Sequence, residues 1–310
     1  MPIKVPDNLP AQAVLEDEGV LLINEGAALR QDVRPLEIAL LNLMPDKIKT
    51  EMQISRLLGA TPLQIELSLV TTSSYAPKNT SAEHMLAFYQ PWEEVKGRKF
   101  DGLIITGAPI ETLPFQDVVY WRELTRIFDW SQTNVQETYN ICWGAQAALQ
   151  HFHGVPKYEL PQKQFGVYPH HVLGGMDSLL RGFNDIIPVP VSRNTEVRGE
   201  DLPKSAGLEI LLESDESGLC LIRDEARRQT YMFNHLEYDT DTLANEYQRD
   251  VASGEEIDVP AYYFPDDDPT KKPTNTWRAH GSLLFVNWIN DLYQSTSFEL
   301  MQIPERRRAT

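Results

Sequence analysis

The chain has 310 residues, of which 42% are hydrophobic and 24% charged, as is usual for a globular protein. This composition excludes the disordered, collagen-like and disulfide-scaffold classes. Lys and Arg number 28 against 45 Asp and Glu, and the net charge of −17 argues against a nucleic-acid partner, because phosphate backbones attract basic surfaces.

The first half of the chain alternates between predicted strands and predicted helices. Residues 1–35 are polar and contain prolines, so we expect an arm or cap before the core. Strands are predicted at 36–43, 63–70, 100–107 and 138–141, and helices at 45–59, 81–95, 116–130 and 143–152. At least four alternations within 120 residues predict parallel βαβ units with helices on both faces of the sheet.

The second half has a different pattern, with short strands separated by turns. Strands are predicted at 165–172, 186–191, 208–212, 219–222 and 230–233, and helices at 241–252 and 276–292. We therefore expect an α/β fold whose mostly parallel sheet gains antiparallel pieces here. Residues 36–300 are predicted to form a single α/β domain with insertions, followed by a solvated basic tail at 301–310.

No segment reaches the roughly 18 to 20 apolar residues that span a bilayer, and the N-terminus lacks the apolar core of a signal peptide. We expect a cytoplasmic protein with no membrane partner. The two cysteines, Cys142 and Cys220, cannot form a disulfide framework, and Cys220 is expected to be buried and inert. No CxxC, HxxxH or HExxH spacing occurs, and His170 and His171 would point apart on a strand, so we expect no metal site.

The sharpest local signal is the segment 139–146, with the sequence YNICWGAQ. It places Cys142 where an apolar strand ends and a helix begins, and Gly144 allows a tight turn there. This is the arrangement of a nucleophile elbow, in which the backbone N–H of Trp143 can point at a developing oxyanion. The helix start would also favour the thiolate form. The alternative is that Cys142 is a buried small hydrophobe, which is common for a free cysteine.

A thiolate nucleophile requires a base and an orienting carboxylate. In the segment Phe233–Glu237, which ends a predicted strand, His235 and Glu237 are two residues apart and would share a face. We therefore predict a Cys142–His235–Glu237 triad, in which Glu237 orients the imidazole and His235 relays protons.

Five motifs, in this order along the chain, resemble the homoserine O-acyltransferases of methionine biosynthesis. They are LNLMPDKIKTE at 41–51, TGAP at 106–109, NICWGAQA at 140–147, KQFGV at 163–167 and FNHLEYD at 233–239. The resemblance extends over nearly the whole chain and implies the class I glutamine-amidotransferase-like α/β fold. It also implies a homodimer that transfers an acyl group from a coenzyme A thioester to the γ-hydroxyl of L-homoserine by a ping-pong route, with no permanently bound cofactor.

The resemblance also implies roles for individual residues. Cys142 matches the acyl-thioester nucleophile, His235 the proton acceptor and Glu237 the third catalytic member. Lys163, Ser192 and Arg249 match substrate-contacting positions of the family. Lys47 matches a lysine that could support the oxyanion.

One position after TGAP distinguishes the acyl donors in this family, being small for succinyl-CoA and Glu for acetyl-CoA. Here it is Glu111, whose carboxylate would fill the acyl pocket and repel the free carboxylate of a succinyl group. The sequence therefore predicts transfer from acetyl-CoA, which gives O-acetyl-L-homoserine.

Three alternatives remain open at this point. The closest is homoserine O-succinyl transfer from succinyl-CoA. A glutamine amidohydrolase would use the same Cys-His-Glu groups on the same fold. A non-catalytic binding protein would use Cys142 as a redox sensor.

Overall fold

The computed structural model describes residues 3–5, 22–24, 34–74, 79–175 and 177–303. Within the predicted N-terminal arm, β1 (Ile3–Val5) and β2 (Leu22–Asn24) pair in parallel as a separate two-stranded sheet. The rest of that arm up to residue 33, and the arginines at 306–308 of the predicted basic tail, lie outside the described residues.

A ten-stranded sheet carries the remaining strands. They are β3 (Leu36–Leu41), β4 (Ile65–Thr71), β5 (Tyr89–Pro91), β6 (Phe100–Ile105), β7 (Val135–Ile141), β8 (Tyr158–Val172), β9 (Ile186–Glu196), β10 (Leu208–Ser214), β11 (Gly218–Asp224) and β12 (Gln229–Met232). Their spatial order is β5-β4-β3-β6-β7-β12-β11-β10-β8-β9. The pairings from β5 to β12 are parallel, and those from β12 to β9 are antiparallel. The predicted mixture of a parallel sheet with antiparallel pieces is confirmed.

The described helices are α1 (Lys47–Leu58), α2 (Ala82–Phe88), α3 (Trp92–Val95), α4 (Trp121–Asn134), α5 (Trp143–His153), α6 (Thr242–Ala252) and α7 (Arg278–Ser295). The single helix predicted over 81–95 is wrong, because β5 separates α2 from α3. Pro91 cannot donate a backbone hydrogen bond within a helix, and the preceding residues instead extend the sheet beside β4. The helix predicted from residue 116 begins only at Trp121, after a 3-10 turn at Phe115–Asp117 and an extended Val118.

The sheet is buried on both faces. On β3, Ile38 and Leu40 belong to one apolar core, and Ala39 and Leu41 belong to the other. Residues of α1, α6 and α7 contribute to the first core, and residues of α3, α4 and α5 contribute to the second. Burial on both faces explains why β3 and β6 are mostly apolar and lack regular polar alternation, with Glu37 and Asp101 as their one acidic residue each.

The antiparallel part contains a buried histidine. As predicted, His170 and His171 point apart: His170 is fully buried, and the His171 side chain is exposed. The carbonyl oxygen of Tyr168 lies 2.9 Å from His170 Nδ1, which must therefore donate. His170 Nε2 accepts from Asn234 Nδ2 at 2.9 Å and from Ser217 Oγ at 3.2 Å. Burial lowers the pKa of His170 to about 4, so the ring stays neutral in the folded protein.

This neutral histidine predicts a loss of stability on acidification. Between the ordinary pKa of about 6.5 and the folded pKa of about 4, the unfolded chain binds a proton that the folded protein excludes, so stability falls as pH falls. From pH 7.5 to pH 5 this one group should cost about 2 kcal/mol of unfolding free energy. Urea unfolding at both pH values should show a smaller acid-induced loss for His170→Gln than for the unmodified protein. His171→Gln is the matched control and should keep the full loss; equal losses in all three proteins would contradict the prediction.

Candidate active site

Three neighbouring parallel strands bring the candidate site together. β6, β7 and β12 lie side by side in the sheet, so their carboxyl ends meet at one edge. The segment that begins at Thr106 follows β6, Cys142 follows β7, and His235 follows β12 within three residues. Binding sites in open α/β sheets lie at this edge.

Cys142 occupies the sharp turn between β7 and α5. Its backbone has φ 52° and ψ −120°, a conformation that a non-glycine residue rarely adopts. Its carbonyl oxygen accepts from the backbone N–H groups of Ala145 at 3.0 Å and Gln146 at 3.2 Å, which starts the helix. The geometry is therefore that of the predicted elbow, with backbone strain concentrated at the nucleophile position.

Two glycines allow the chain to approach this turn closely. A Cβ atom on Gly144 would lie 2.6 Å from the carbonyl oxygen of Thr106, so a larger residue would push α5 away from the end of β6. A Cβ atom on Gly107 would lie 3.1 Å from the Cβ atom of Cys142. The segment after β6 thus forms one wall of the site, directly against the cysteine.

Cys142, His235 and Glu237 lie together. The Nδ1 atom of His235 is 2.6 Å from Oε1 of Glu237, and His235 and Cys142 line the same cavity. Burial alone would lower the pKa of His235, but the charges of Glu237 and Cys142 raise it well above its ordinary value. The ring of Tyr238 stacks on the imidazole at 4.1 Å between centroids.

The prediction that His235 and Glu237 share a strand face is wrong. β12 ends at Met232, so His235 and Glu237 lie in a turn and do not share a strand face. Two backbone hydrogen bonds position the turn. The N–H of Phe233 donates to the carbonyl oxygen of Cys220 at 2.8 Å, and the N–H of His235 donates to the carbonyl oxygen of Pro190 at 2.9 Å.

A cavity of about 220 Å³ opens onto the cysteine and the histidine. It contains most of the predicted site residues. Its lining consists of Met44, Gly107, Ala108, Pro109, Glu111, Thr112, Cys142, Lys163, Ser192, Asn194, His235, Tyr238, Glu246 and Arg249.

The predicted substrate residues form a charged cluster on one side of this cavity. Lys163 lies on β8 and Ser192 on the paired strand β9, while Arg249 comes from α6. Lys163 Nζ is 3.0 Å from Oδ2 of Asp250 and 3.5 Å from Oε2 of Glu246. Ser192 Oγ donates to the same Glu246 oxygen at 2.6 Å, and Arg249 Nε donates to Asp250 at 2.7 Å. The guanidinium of Arg249 is largely exposed, so its remaining N–H groups can reach a ligand in the cavity.

Glu111 also lines this cavity. Its Oε2 accepts a hydrogen bond from the backbone N–H of Asn194 at 2.7 Å. Burial raises the pKa of Glu111, while that hydrogen bond and the charges of His235, Arg193 and Lys163 oppose the shift. The carboxylate is thus held in the cavity that contains Cys142.

Lys47 and Trp143, the two residues predicted to support the oxyanion, differ in their position relative to the cavity. Lys47 is buried, its ammonium donates to the carbonyl oxygen of Asn42, and it does not line the cavity. Burial lowers the pKa of Lys47 to about 8. The Trp143 side chain packs against Phe115 and Tyr120, so only its backbone N–H, in the first turn of α5, is suited to the predicted role.

Two residues of the site, Glu246 and Tyr238, were not predicted from the sequence. Glu246 accepts a hydrogen bond from Ser192 and faces Lys163, and the ring of Tyr238 stacks on that of His235. Glu246 precedes Arg249 by three residues on α6, so the two lie on one helix face. That spacing was the available signal for Glu246.

Among the residues that the structure describes, no group of three or more His, Cys, Asp or Glu is arranged to hold a metal ion. None of the described helices combines the length and apolar character needed to cross a membrane.

The fold and the site define an α/β protein of the class I glutamine-amidotransferase-like type with a Cys-His-Glu site. A glutamine amidotransferase from Thermotoga maritima has this fold, with a TM-score of 0.55 and 12% identity over 84% of this chain and 99% of that one. The chain belongs to the homoserine O-succinyltransferase family, whose model matches residues 2–298.

Similar proteins are named for acetyl transfer, whereas the family model is named for succinyl transfer. A protein from Rhizobium leguminosarum bv. trifolii named homoserine O-acetyltransferase is 58% identical over 98% of this chain and 99% of its own length. A protein of the same name from Hyphomonas neptunium is 57% identical over equal shares. The predicted family and fold are thus confirmed, and the choice of acyl donor becomes the remaining question.

Proposed function

We propose that this protein transfers an acetyl group from acetyl-CoA to the γ-hydroxyl of L-homoserine, through a thioester on Cys142, in the biosynthesis of methionine. The observation that carries the proposal is the single cavity in which the Cys142–His235 pair and the carboxylate of Glu111 lie together. We further propose a cytoplasmic homodimer, with no cofactor beyond the acyl-CoA substrate.

In the first half-reaction, the Cys142 thiolate attacks the acetyl carbonyl carbon. The oxyanion forms near the backbone N–H of Trp143, and the carbon–sulfur bond to coenzyme A then breaks. His235, whose raised pKa favours the imidazolium, gives its proton to the departing thiolate. Free coenzyme A leaves, and the acetyl group remains on Cys142.

In the second half-reaction, homoserine occupies the charged side of the cavity. Its hydroxyl proton passes to His235 as the oxygen attacks the thioester carbonyl. Cys142 leaves as the thiolate, the proton stays on the imidazole, and the starting ion pair is restored. Glu237 keeps Nδ1 of His235 protonated through the 2.6 Å contact, so Nε2 faces the reacting atoms.

The charged cluster suits an amino acid substrate. Arg249 offers a fork of N–H donors for the carboxylate, and Glu246 offers a carboxylate for the ammonium group. Ser192 and Lys163 hold Glu246 in place, at 2.6 Å and 3.5 Å. Ionic contacts at both ends of a short amino acid would fix its hydroxyl near His235.

Glu111 supports acetyl over succinyl as the transferred group. A succinyl carboxylate in the same partly desolvated cavity would lie near the Glu111 carboxylate, and like charges repel strongly where water is scarce. The neutral acetyl group is not subject to this repulsion.

The test is donor preference, measured as kcat/KM for acetyl-CoA and succinyl-CoA with L-homoserine, with product mass as the readout. We expect acetyl transfer by the unmodified protein, and Glu111→Gly should shift the ratio toward succinyl-CoA by roughly 10- to 100-fold. Glu111→Gln keeps the volume of the side chain and removes its charge. If this variant shows most of the change in donor ratio, the effect of Glu111 is due to its charge. An unchanged ratio in Glu111→Gly would contradict the role of Glu111, and absence of transfer from either donor would overturn the proposed function.

The shared fold also raises glutamine hydrolysis as a competing function, and the same preparation tests it. Release of ammonia from glutamine without coenzyme A, at rates above acyl transfer, would favour the amidohydrolase.

A further inference from the structure

Two further cavities lie beside the active site, along the segment after β6. The first, of about 130 Å³, shares the wall residues Ala108 and Pro109 with the cavity of Cys142. Its lining is mostly apolar and includes Leu113 and Val119, with Asp117 as the one charged residue among its described lining residues. The second, of about 430 Å³, begins at Val119, which lines both of them.

The outermost cavity contains two arginines, Arg122 and Arg126. Its carboxylates are already engaged. Glu123 accepts from the backbone N–H groups of Ser73 at 2.8 Å and Ser74 at 3.0 Å. Glu93 pairs with Arg126 at 3.0 Å and with Lys96. Arg122 is therefore the cation in this cavity that is best suited to receive an added anion.

The apolar cavity also contains unusual surface residues. Leu113 is 44% exposed and Val119 is 76% exposed, and both are large apolar side chains at the rim of a concave surface. Neighbouring exposed apolar residues of this kind mark surfaces that a ligand covers.

We propose that these two cavities bind the coenzyme A portion of the acyl donor. The thioester lies at Cys142, the pantetheine arm crosses the apolar cavity past Leu113 and Val119, and the nucleotide phosphates lie at Arg122. The order along the cavities is the cysteine, then the apolar lining, then the arginines, and it matches the order of acyl group, pantetheine arm and nucleotide phosphates in the donor. Guanidinium groups bind phosphate by charge-assisted hydrogen bonds. This inference rests on the proposed function, because it assigns the site of that donor.

The experiment uses three acetyl donors of decreasing length: acetyl-CoA, S-acetylpantetheine and S-acetyl-N-acetylcysteamine. For Val119→Asp, kcat/KM for the two longer donors should fall by about tenfold relative to the shortest one, because only they cross the apolar cavity. For Arg122→Ala, kcat/KM for acetyl-CoA alone should fall by about fivefold relative to S-acetylpantetheine, which lacks the nucleotide phosphates. Both effects should appear chiefly in KM.

Two controls match these changes. Ile186→Asp places the same charge at another exposed apolar position, and Lys204→Ala removes one positive charge from the exposed surface elsewhere. Neither should alter the ratios between donors. Equal effects of Val119→Asp on all three donors, or unchanged ratios in both site variants, would overturn the inference while leaving acetyl transfer intact. Absence of transfer from every donor by the unmodified protein would instead refute the proposed function.

Discussion

Cys142→Ala is expected to lower kcat for acetyl transfer by at least about 10⁴-fold, because the covalent route depends on this one thiolate. The loss should affect both half-reactions. Incubation of the unmodified protein with acetyl-CoA alone should add the mass of one acetyl group to the peptide that contains Cys142, and Cys142→Ala should gain none. Addition of L-homoserine should remove the label and yield O-acetylhomoserine.

Cys220→Ala is the matched control for this experiment. Cys220 is also buried and free, but burial raises its pKa to about 12, so it stays a neutral thiol. Transfer at near-normal rate and normal labelling are expected for this variant. Substantial activity in Cys142→Ala would exclude the thioester route and favour a non-covalent mechanism or a binding role for the cysteine.

Glu237→Gln should lower kcat by roughly 10³- to 10⁴-fold, by analogy with the loss of the orienting carboxylate from other triads. The amide can donate to Nδ1 and thereby favour the wrong tautomer of His235. The substitution also removes a negative charge that raises the pKa of His235. The pKa of His235 should therefore fall in this variant.

The pH profile separates this role from a structural one. The imidazolium form is lost as pH rises through the pKa of His235, so the alkaline limb of the acylation step should move to lower pH in Glu237→Gln. Glu209→Gln, at an exposed position on β10, should keep both rate and profile. A slow variant with an unshifted alkaline limb would indicate that Glu237 does not act through the charge of His235.

The names found within the family differ in the acyl group, and the site offers a physical explanation. The family model carries the name of succinyl transfer, whereas the relatives at 57% and 58% identity are named for acetyl transfer. In the proposed reaction, the triad acts on the thioester carbonyl that both donors share. We therefore propose that the difference arises where the acyl groups differ, in the cavity that Glu111 lines.

Much of the architecture could be predicted because its signals are local. β3 and β6 are mostly apolar because both faces of the sheet are covered, and the cysteine at the end of β7 is followed by the glycine that the turn requires. The helix over 81–95 could not be predicted correctly, because the insertion of β5 depends on an open sheet edge beside β4. The residue propensities of 81–95 do not depend on whether such an edge is present elsewhere in the fold.

The site divides in the same way. The class of chemistry could be predicted from the residues alone: a cysteine at an elbow, a histidine with a carboxylate two residues later, and five ordered motifs shared with the family. The folded arrangement was needed to see that Glu237 reaches His235 through a turn, that Glu246 and Tyr238 belong to the site, and that Lys47 does not line the cavity. Covalent order fixes which groups exist, but their distances depend on how β8, β9 and α6 pack against strand ends that are remote in the chain.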